Sequence, residues 1–134
     1  MNIGRELDAP GVIEDIDLAH GKLVTFLQVN YKGKSGEATA GKPIGDKPKA
    51  FVTYEPSGPI TNVETQWNRN GRALAGIRFY CGKRGSVPFG NSDTSKVQLE
   101  TAEFEGFHLS HVGGERNGTV IFALELGFRH DSLQ

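Results

Sequence analysis

Hydrophobic and polar residues alternate along most of this chain, and the alternation predicts β-strands. Apolar residues recur within short runs, as in Leu23, Phe26, Val29 and Tyr31, and again from Val120 to Phe128. Val, Ile, Phe and Tyr dominate these runs, while Gly, Asn, Asp and Pro separate them, which is typical of strands joined by turns. About ten such runs occur at spacings that suit a sandwich, a barrel or a prism. We therefore expect an all-β protein.

Two segments rich in glycine and proline break the pattern. Lys32–Lys49 contains almost no apolar residue, and Val87–Lys96 contains Pro88 and Gly90. Both are predicted to be loops, and the first has room for a ragged edge strand. A lysine-rich contact surface is one interpretation of Lys32–Lys49, but a solvated loop is favoured.

Three similar turns divide the chain into three units. His20-Gly21, Asn70-Gly71 and Asn117-Gly118 each precede one variable residue and then an apolar strand, and the glycines are spaced by about fifty residues. Asn-Gly is a strong turn signal because both residues tolerate a positive φ. Near-equal spacing indicates repeated units. The pattern predicts a threefold-symmetric β-prism of three four-stranded Greek-key sheets in one domain, residues 1–134.

Charge and cysteine content exclude several classes of partner. Lys and Arg number 15 against 16 Asp and Glu, and they are scattered, so the basic stripe that nucleic acid requires is missing. Cys81 is the single cysteine; it is expected to be a small buried hydrophobe. The start of the chain lacks the apolar core of a classical signal peptide, which predicts a cytoplasmic protein or release by a non-classical route. No apolar run is long enough for a transmembrane segment.

No arrangement of residues points to catalysis, a metal or another cofactor. Asp15 and Asp17 do not form an acid/base pair by sequence. His108 and His111 stand at an odd spacing on one expected strand, so they are predicted to face opposite sides and not to share a metal. We therefore expect that the protein is not an enzyme.

Several aromatic residues could contact a ligand, but a structural role is favoured for each. Trp67 is expected in the core or at its rim, and Tyr31 and Tyr54 are expected to be structural. Phe122 could stack on a sugar, but packing in the core or over one end of the prism is favoured. The segment Gly113–Gly118 could be a binding loop, but a hairpin with a polar tip is favoured.

The order of the motifs resembles the jacalin-related lectins over roughly residues 11–128. Ile60-Thr61-Asn62-Val63 is similar to the Ile-x-x-Val strand of that family. Gly76-Ile77-Arg78-Phe79 followed by Val87-Pro88-Phe89-Gly90 resembles its Leu-x-Phe … Gly-Pro-Phe-Gly signature, and Glu105-Gly106-Phe107-His108 resembles Gly-Phe-His-Gly. This resemblance implies the fold called β-prism I. Residues 73–81 are also similar to the vitelline membrane outer layer protein, another threefold β-prism.

The resemblance implies a site for mannose or galactose at a Gly-x-x-x-Asp turn near the C-terminus, beside an N-terminal glycine-rich segment. The matching residues are Asn117, Gly118, Thr119, Val120 and Phe122, with Gly4 as the remnant of the glycine-rich segment. Phe122 stands where the family has its aspartate. The fourth residues after the other two turn glycines, Thr25 and Ala75, are not acidic either.

The missing carboxylate weakens the usual lectin mechanism and leaves two hypotheses on function. A hydrogen bond to a charged group contributes about 1.5–3 kcal/mol, whereas a millimolar site has only about 4 kcal/mol in total. The usual monosaccharide mechanism is therefore lost. The first hypothesis is a glycan-binding or cell-surface-targeting module with an atypical site, whose partner is a glycan or glycoconjugate. The alternative is a β-prism that binds no sugar and contacts proteins, as a homo-oligomer or as the receptor-binding part of a toxin-like assembly.

Overall fold

Three long antiparallel hairpins form the framework of the protein. The structure, a computed structural model, describes residues 2–5, 11–33, 35–68, 73–90 and 97–131. Its twelve strands are β1 (Asn2–Arg5), β2 (Val12–His20), β3 (Val24–Lys32), β4 (Ala38–Ala40), β5 (Val52–Tyr54), β6 (Asn62–Asn68), β7 (Leu74–Cys81), β8 (Arg84–Gly85), β9 (Phe89–Gly90), β10 (Val97–Glu103), β11 (Phe107–Asn117) and β12 (Val120–His130).

Each hairpin is the centre of one sheet. The pair β2/β3 is flanked by β5 and β4, and the pair β6/β7 is flanked by β10 on one side and by β8 and β9 on the other. The pair β11/β12 takes its third strand, β1, from the start of the chain, and β1 runs parallel to β12. The three sheets confirm the predicted all-β prism, and they have four, five and three strands among the described residues.

The inward faces of the three sheets share one apolar core. Phe79 and Phe128 are fully buried in it, with Leu18 from the first sheet. Trp67 is 8% exposed and donates from its indole Nε1 to the Thr65 hydroxyl at 2.9 Å. Burial of the indole with its one polar group paired is what a structural tryptophan requires.

All three hairpins contain a β-bulge at the same place. Ala19 pairs with Phe26 and His20 with Val24, so Thr25 has no partner. The same register shift occurs between β6 and β7, where Ala75 has no partner, and between β11 and β12, where Phe122 has no partner. These are the fourth residues after the three turn glycines. The sequence repeat is therefore a structural repeat, although Asn70 and Gly71 lie outside the described residues.

Two of the three bulges are each covered by a Pro-x-Gly segment, Pro43-Ile44-Gly45 over the first and Pro88-Phe89-Gly90 over the second. Ile44 exchanges backbone hydrogen bonds with Leu27, and Phe89 pairs with Ile77 at the matching position of the second sheet. The glycine that follows each has a positive φ, +98° at Gly45 and +110° at Gly90. A Cβ at these glycines would lie 2.3 Å from the Thr25 oxygen and 2.2 Å from the Ala75 oxygen, respectively. Only glycine permits this approach.

Tyr54 and Cys81 meet beside the core, away from the turns. The Tyr54 ring stacks on Phe79 with the ring centroids 5.3 Å apart, and its hydroxyl lies 3.3 Å from the Cys81 sulfur. Cys81 packs against the core but is only partly buried, and it donates to the Gly58 carbonyl at 3.4 Å, so the expectation of a buried cysteine was wrong. The end of β7 lies at the rim of the core, where a hydrogen-bonded thiol is still reached by solvent.

Replacing either covering glycine should destabilise the fold. Gly45→Ala and Gly90→Ala combine a positive φ with a backbone clash, so we expect each to lower the free energy of unfolding by about 2 kcal/mol or more. Urea denaturation measures the loss. The matched control is Gly58→Ala, because a Cβ there meets nothing within 4 Å. Equal effects at all three positions would contradict the proposed role of the close approach.

Tyr54 should make the protein sensitive to alkaline pH. Burial, followed by the hydrogen bond with Cys81, raises the pKa of the Tyr54 phenol well above its ordinary value. A phenol whose pKa is raised in the folded state stabilises that state at pH values below its unfolded pKa of about 10. This stabilisation is lost as the pH rises above 10 towards the folded-state pKa. We expect Tyr54→Phe to flatten the fall in unfolding free energy above pH 10. Tyr80→Phe, in β7, controls for loss of a phenol; an equal flattening there would contradict the assignment.

Candidate functional site

The predicted site residues Asn117 to Val120 form the tip of the third hairpin. Asn117 pairs with Val120, and Gly118 and Thr119 make the two-residue turn between β11 and β12. Gly118 adopts the left-handed conformation, φ +62°, that such a turn demands. Asn117, Gly118 and Thr119 are exposed, whereas Val120 is half-buried. Residues 113–117 belong to β11, so this segment is a hairpin with a polar tip.

Phe122 lies at the surface beside this tip. Its exposed fraction is 39%, so Phe122 does not pack in the core. The other structural role expected for it, packing over one end of the prism, stays a prediction. The bulge is the reason for the exposure. Ile121 and Leu124 both point into the core at 1% exposure, and a strand can bury residues three apart only if an extra residue interrupts the pairing. Phe122 is that extra residue, and it is turned outward.

Phe122 is the one bulge residue of the three that is exposed. Ala75 is fully buried and Thr25 is half-buried, since a Pro-x-Gly segment lies over each. On the third sheet the flanking strand β1 begins its pairing at Glu125 and continues away from the bulge. Within the described ranges, no Pro-x-Gly segment covers Phe122. The third tip therefore differs from the other two by an open aromatic side chain.

Gly4 is not brought to this tip. It pairs with Gly127, five residues beyond Phe122 along β12, which is about 17 Å at the rise of a strand. Because β1 runs parallel to β12, the chain moves away from the tip as it continues from Asn2 to Arg5. The structure therefore places Gly4 away from the tip, and its part in a ligand site stays a prediction.

The structure adds an ion pair that sequence reasoning missed. The Arg116 guanidinium donates from Nη2 to Asp46 Oδ1 at 2.9 Å. This hydrogen bond, with the charge of Arg116, lowers the pKa of the Asp46 carboxyl. The pair joins the hairpin to the loop that was expected to be only solvated. That loop contains the short strand β4 and is anchored by Ile44 as well. Two single charges seventy residues apart carry no pattern that could have shown the contact.

A groove of about 340 Å³ is lined by residues of β11 and β12, among them Ala123, which follows Phe122 in sequence, and by the segment Lys42–Ile44. Gly113 and Gly114 are among its lining residues. A Cβ would come within 3.2 Å of His111 Nε2 at Gly113, and within 2.5 Å of the Ala123 oxygen and 3.0 Å of Ile44 Cδ1 at Gly114. Small residues therefore keep the groove open. Its lining combines polar and apolar groups: Lys42, Pro43, Ile44, His111, Val112, Gly113, Gly114, Glu115, Ala123, Leu124 and Glu125.

The chemistry of this region suits recognition of a neutral polar molecule. It offers an aromatic face, a hydroxyl, a carboxamide and an ion pair, all at the surface. The described residues contain no cluster of three or more His, Cys, Asp or Glu side chains that could hold a metal ion. Among these same residues, no helix is long and apolar enough to cross a membrane.

Comparison with known proteins finds a matching family model and several solved structures of similar fold. The family model described as Jacalin-like lectin domain matches residues 2–124. A mannose-binding jacalin-related lectin from Ananas comosus is 17% identical, with a TM-score of 0.73 and coverage of 93% of this chain and 88% of that one. The Calystegia sepium agglutinin is 15% identical, with a TM-score of 0.73 and coverage of 92% and 87%. Artocarpin in complex with methyl-α-mannose is 18% identical, with a TM-score of 0.71 and coverage of 90% and 85%.

No curated protein sequence matches the chain significantly. The similarity of residues 73–81 to the vitelline membrane outer layer protein stays a prediction.

Proposed function

The chain belongs to the jacalin-like lectin domain family, and we propose that it binds carbohydrate at the tip of its third hairpin by stacking a sugar ring on Phe122. The family match over residues 2–124 supports a lectin. The observation that carries the site is the exposure of Phe122, which alone of the three bulge residues that follow the turns is exposed.

An aromatic contact would replace the missing aspartate with a different source of affinity. The CH-rich face of a pyranose ring packs well on an aromatic face. Burying about 50 Å² of apolar surface in that contact contributes about 1.3 kcal/mol. This free energy is comparable to the smallest contributions of a hydrogen bond to a charged group. A site near millimolar affinity is therefore retained without the carboxylate.

Polar groups around Phe122 would orient the sugar. The amide of Asn117 and the hydroxyl of Thr119 are exposed at the tip, and each can donate and accept hydrogen bonds. Asp46 is held ionised beside Arg116, and it can accept from a sugar hydroxyl. The proposed mode is therefore a stacked ring with hydrogen bonds at its edge.

The adjoining groove favours a glycan longer than one residue. Its volume of about 340 Å³ exceeds what one stacked ring uses, and Glu115 and Glu125 provide acceptors along it. Solved structures of similar fold include artocarpin in complex with mannopentose and the Calsepa lectin in complex with a biantennary N-glycan. For this chain we propose an oligosaccharide whose end residue lies on Phe122.

Truncating Phe122 should weaken glycan binding without harming the fold. We expect Phe122→Ala to reduce affinity about tenfold for a glycan identified on an array, because about 1.3 kcal/mol of contact is lost. Isothermal titration calorimetry measures the affinity. Leu99→Ala is the matched control, since Leu99 is a comparably exposed apolar residue of a different sheet, and it should bind as the wild type does.

Two results would count against the proposed site. The first is unchanged affinity of the Phe122→Ala variant for its glycan. The second is the absence of any glycan hit on a broad array together with a stable homo-oligomer or a protein partner, which would favour the protein-contact alternative.

A further inference from the structure

A hollow lies at the end of the prism opposite the third hairpin tip, and we propose that it binds a second carbohydrate unit through the carboxylate of Asp131. The hollow consists of two adjoining cavities, of about 440 Å³ and about 300 Å³, which share residues 57–59. Asp131 lines the larger cavity, and its hydrogen-bond partner His108 lines the smaller one. We call these two cavities together the base hollow.

The ends of four strands converge on the base hollow and place it far from the tip. Val12 begins β2, Cys81 ends β7, His108 stands near the start of β11, and Asp131 follows the end of β12. Nine residues separate His108 from Asn117 along β11, which corresponds to about 30 Å of extended strand. The base hollow shares no lining residue with the groove beside the tip. The two sites are therefore separate, and either can bind or fail without the other.

Asp131 presents a carboxylate whose orientation is fixed. Its Oδ1 lies 2.9 Å from Nδ1 of His108, whose side chain is only 10% exposed. An ionised carboxylate only accepts hydrogen bonds, so the histidine nitrogen donates. The backbone N–H of Asp131 donates to the Gly106 carbonyl at 3.0 Å. Among the described residues, Oδ2 of Asp131 has no hydrogen-bond partner, so it can accept from ligand hydroxyls.

Hydrogen bonds hold the other walls of the larger cavity in place. The backbone N–H of Gly82 donates to the Thr61 hydroxyl at 3.0 Å, and the Cys81 thiol donates to the Gly58 carbonyl at 3.4 Å. These two contacts tie the end of β7 to the segment before β6. Ser57 is exposed between them and Asp131 in sequence, and its hydroxyl can both donate and accept.

The mixture of polar and apolar groups in the base hollow favours a sugar. Pro56, Pro59 and the half-exposed Val12 provide apolar surface beside the carboxylate and the Ser57 hydroxyl. A pyranose ring offers the same mixture, since it has CH-rich faces and a rim of hydroxyl groups. An apolar molecule would take the carboxylate out of water without pairing it, and a bare cation would leave the apolar walls unused. The hollow thus supplies a carboxylate acceptor that the third turn lacks.

The test removes the tip site first. On a glycan array we expect the full chain carrying Phe122→Ala to retain a set of bound glycans, and the double variant Phe122→Ala/Asp131→Asn to lose it. The asparagine can still accept from His108, but its amide nitrogen then replaces Oδ2 and donates where the sugar needs an acceptor. Affinity should fall about tenfold or more. The matched control is Phe122→Ala/Glu55→Gln, because Glu55 is exposed and lines neither cavity; it should keep the bound glycans.

A two-dimensional NMR titration locates the binding. The strongest array glycan of the Phe122→Ala variant should shift the amide signals of Ser57, Gly58 and Asp131 and leave those of Asn117 and Gly118 in place. Ser57→Ala, at an exposed position, is the second variant and should weaken this binding severalfold.

The outcomes separate this proposal from the tip site. The base hollow is overturned if the Phe122→Ala variant binds no glycan, if Asp131→Asn leaves its binding unchanged, or if the shifted signals lie outside the hollow. Equal binding by the wild type and Phe122→Ala, abolished by Asp131→Asn, would support the base hollow and contradict the site at Phe122.

Discussion

The β-bulge after each turn is the constraint on which the rest of this structure depends. Side chains alternate along a strand, so one inserted residue reverses the direction of everything beyond it. In the third hairpin the insertion allows Ile121 and Leu124 to reach the core together. Without it, one of them would face solvent, and the sheet would lose part of the surface that it shares with the other two sheets.

The three bulges differ in what covers them, and this difference breaks the symmetry of the prism. Proline-led segments ending in Gly45 and Gly90 approach the first two bulges so closely that no side chain fits on the glycine. The third sheet receives its outer strand from the start of the chain, and that strand begins to pair only at Glu125. One backbone position thus holds a covered threonine, a buried alanine and an exposed phenylalanine.

Much of the fold could be predicted from the sequence because it depends on local sequence patterns. Alternating apolar residues and the glycine-led turns give the strands, and the spacing of Gly21 and Gly118 gives the repeat. The site was harder to predict. The turn from Asn117 to Val120 followed from its glycine, but the outward orientation of Phe122 depends on a register shift between two strands. The contact of Asp46 with Arg116 depends on how a long loop folds back onto the third hairpin. No sequence pattern predicts it.

The parallel pairing of β1 with β12 joins the two ends of the chain in space. Asn2 pairs with Glu125 and Arg5 with Phe128, so this sheet closes a loop that includes both other sheets. Contacts so distant in sequence form slowly, because the entropy of closing the loop is lost before the pairing can compensate for it. The two hairpins β2/β3 and β6/β7 involve only local closures. The sheet that carries the exposed phenylalanine therefore cannot be completed until the rest of the chain has folded.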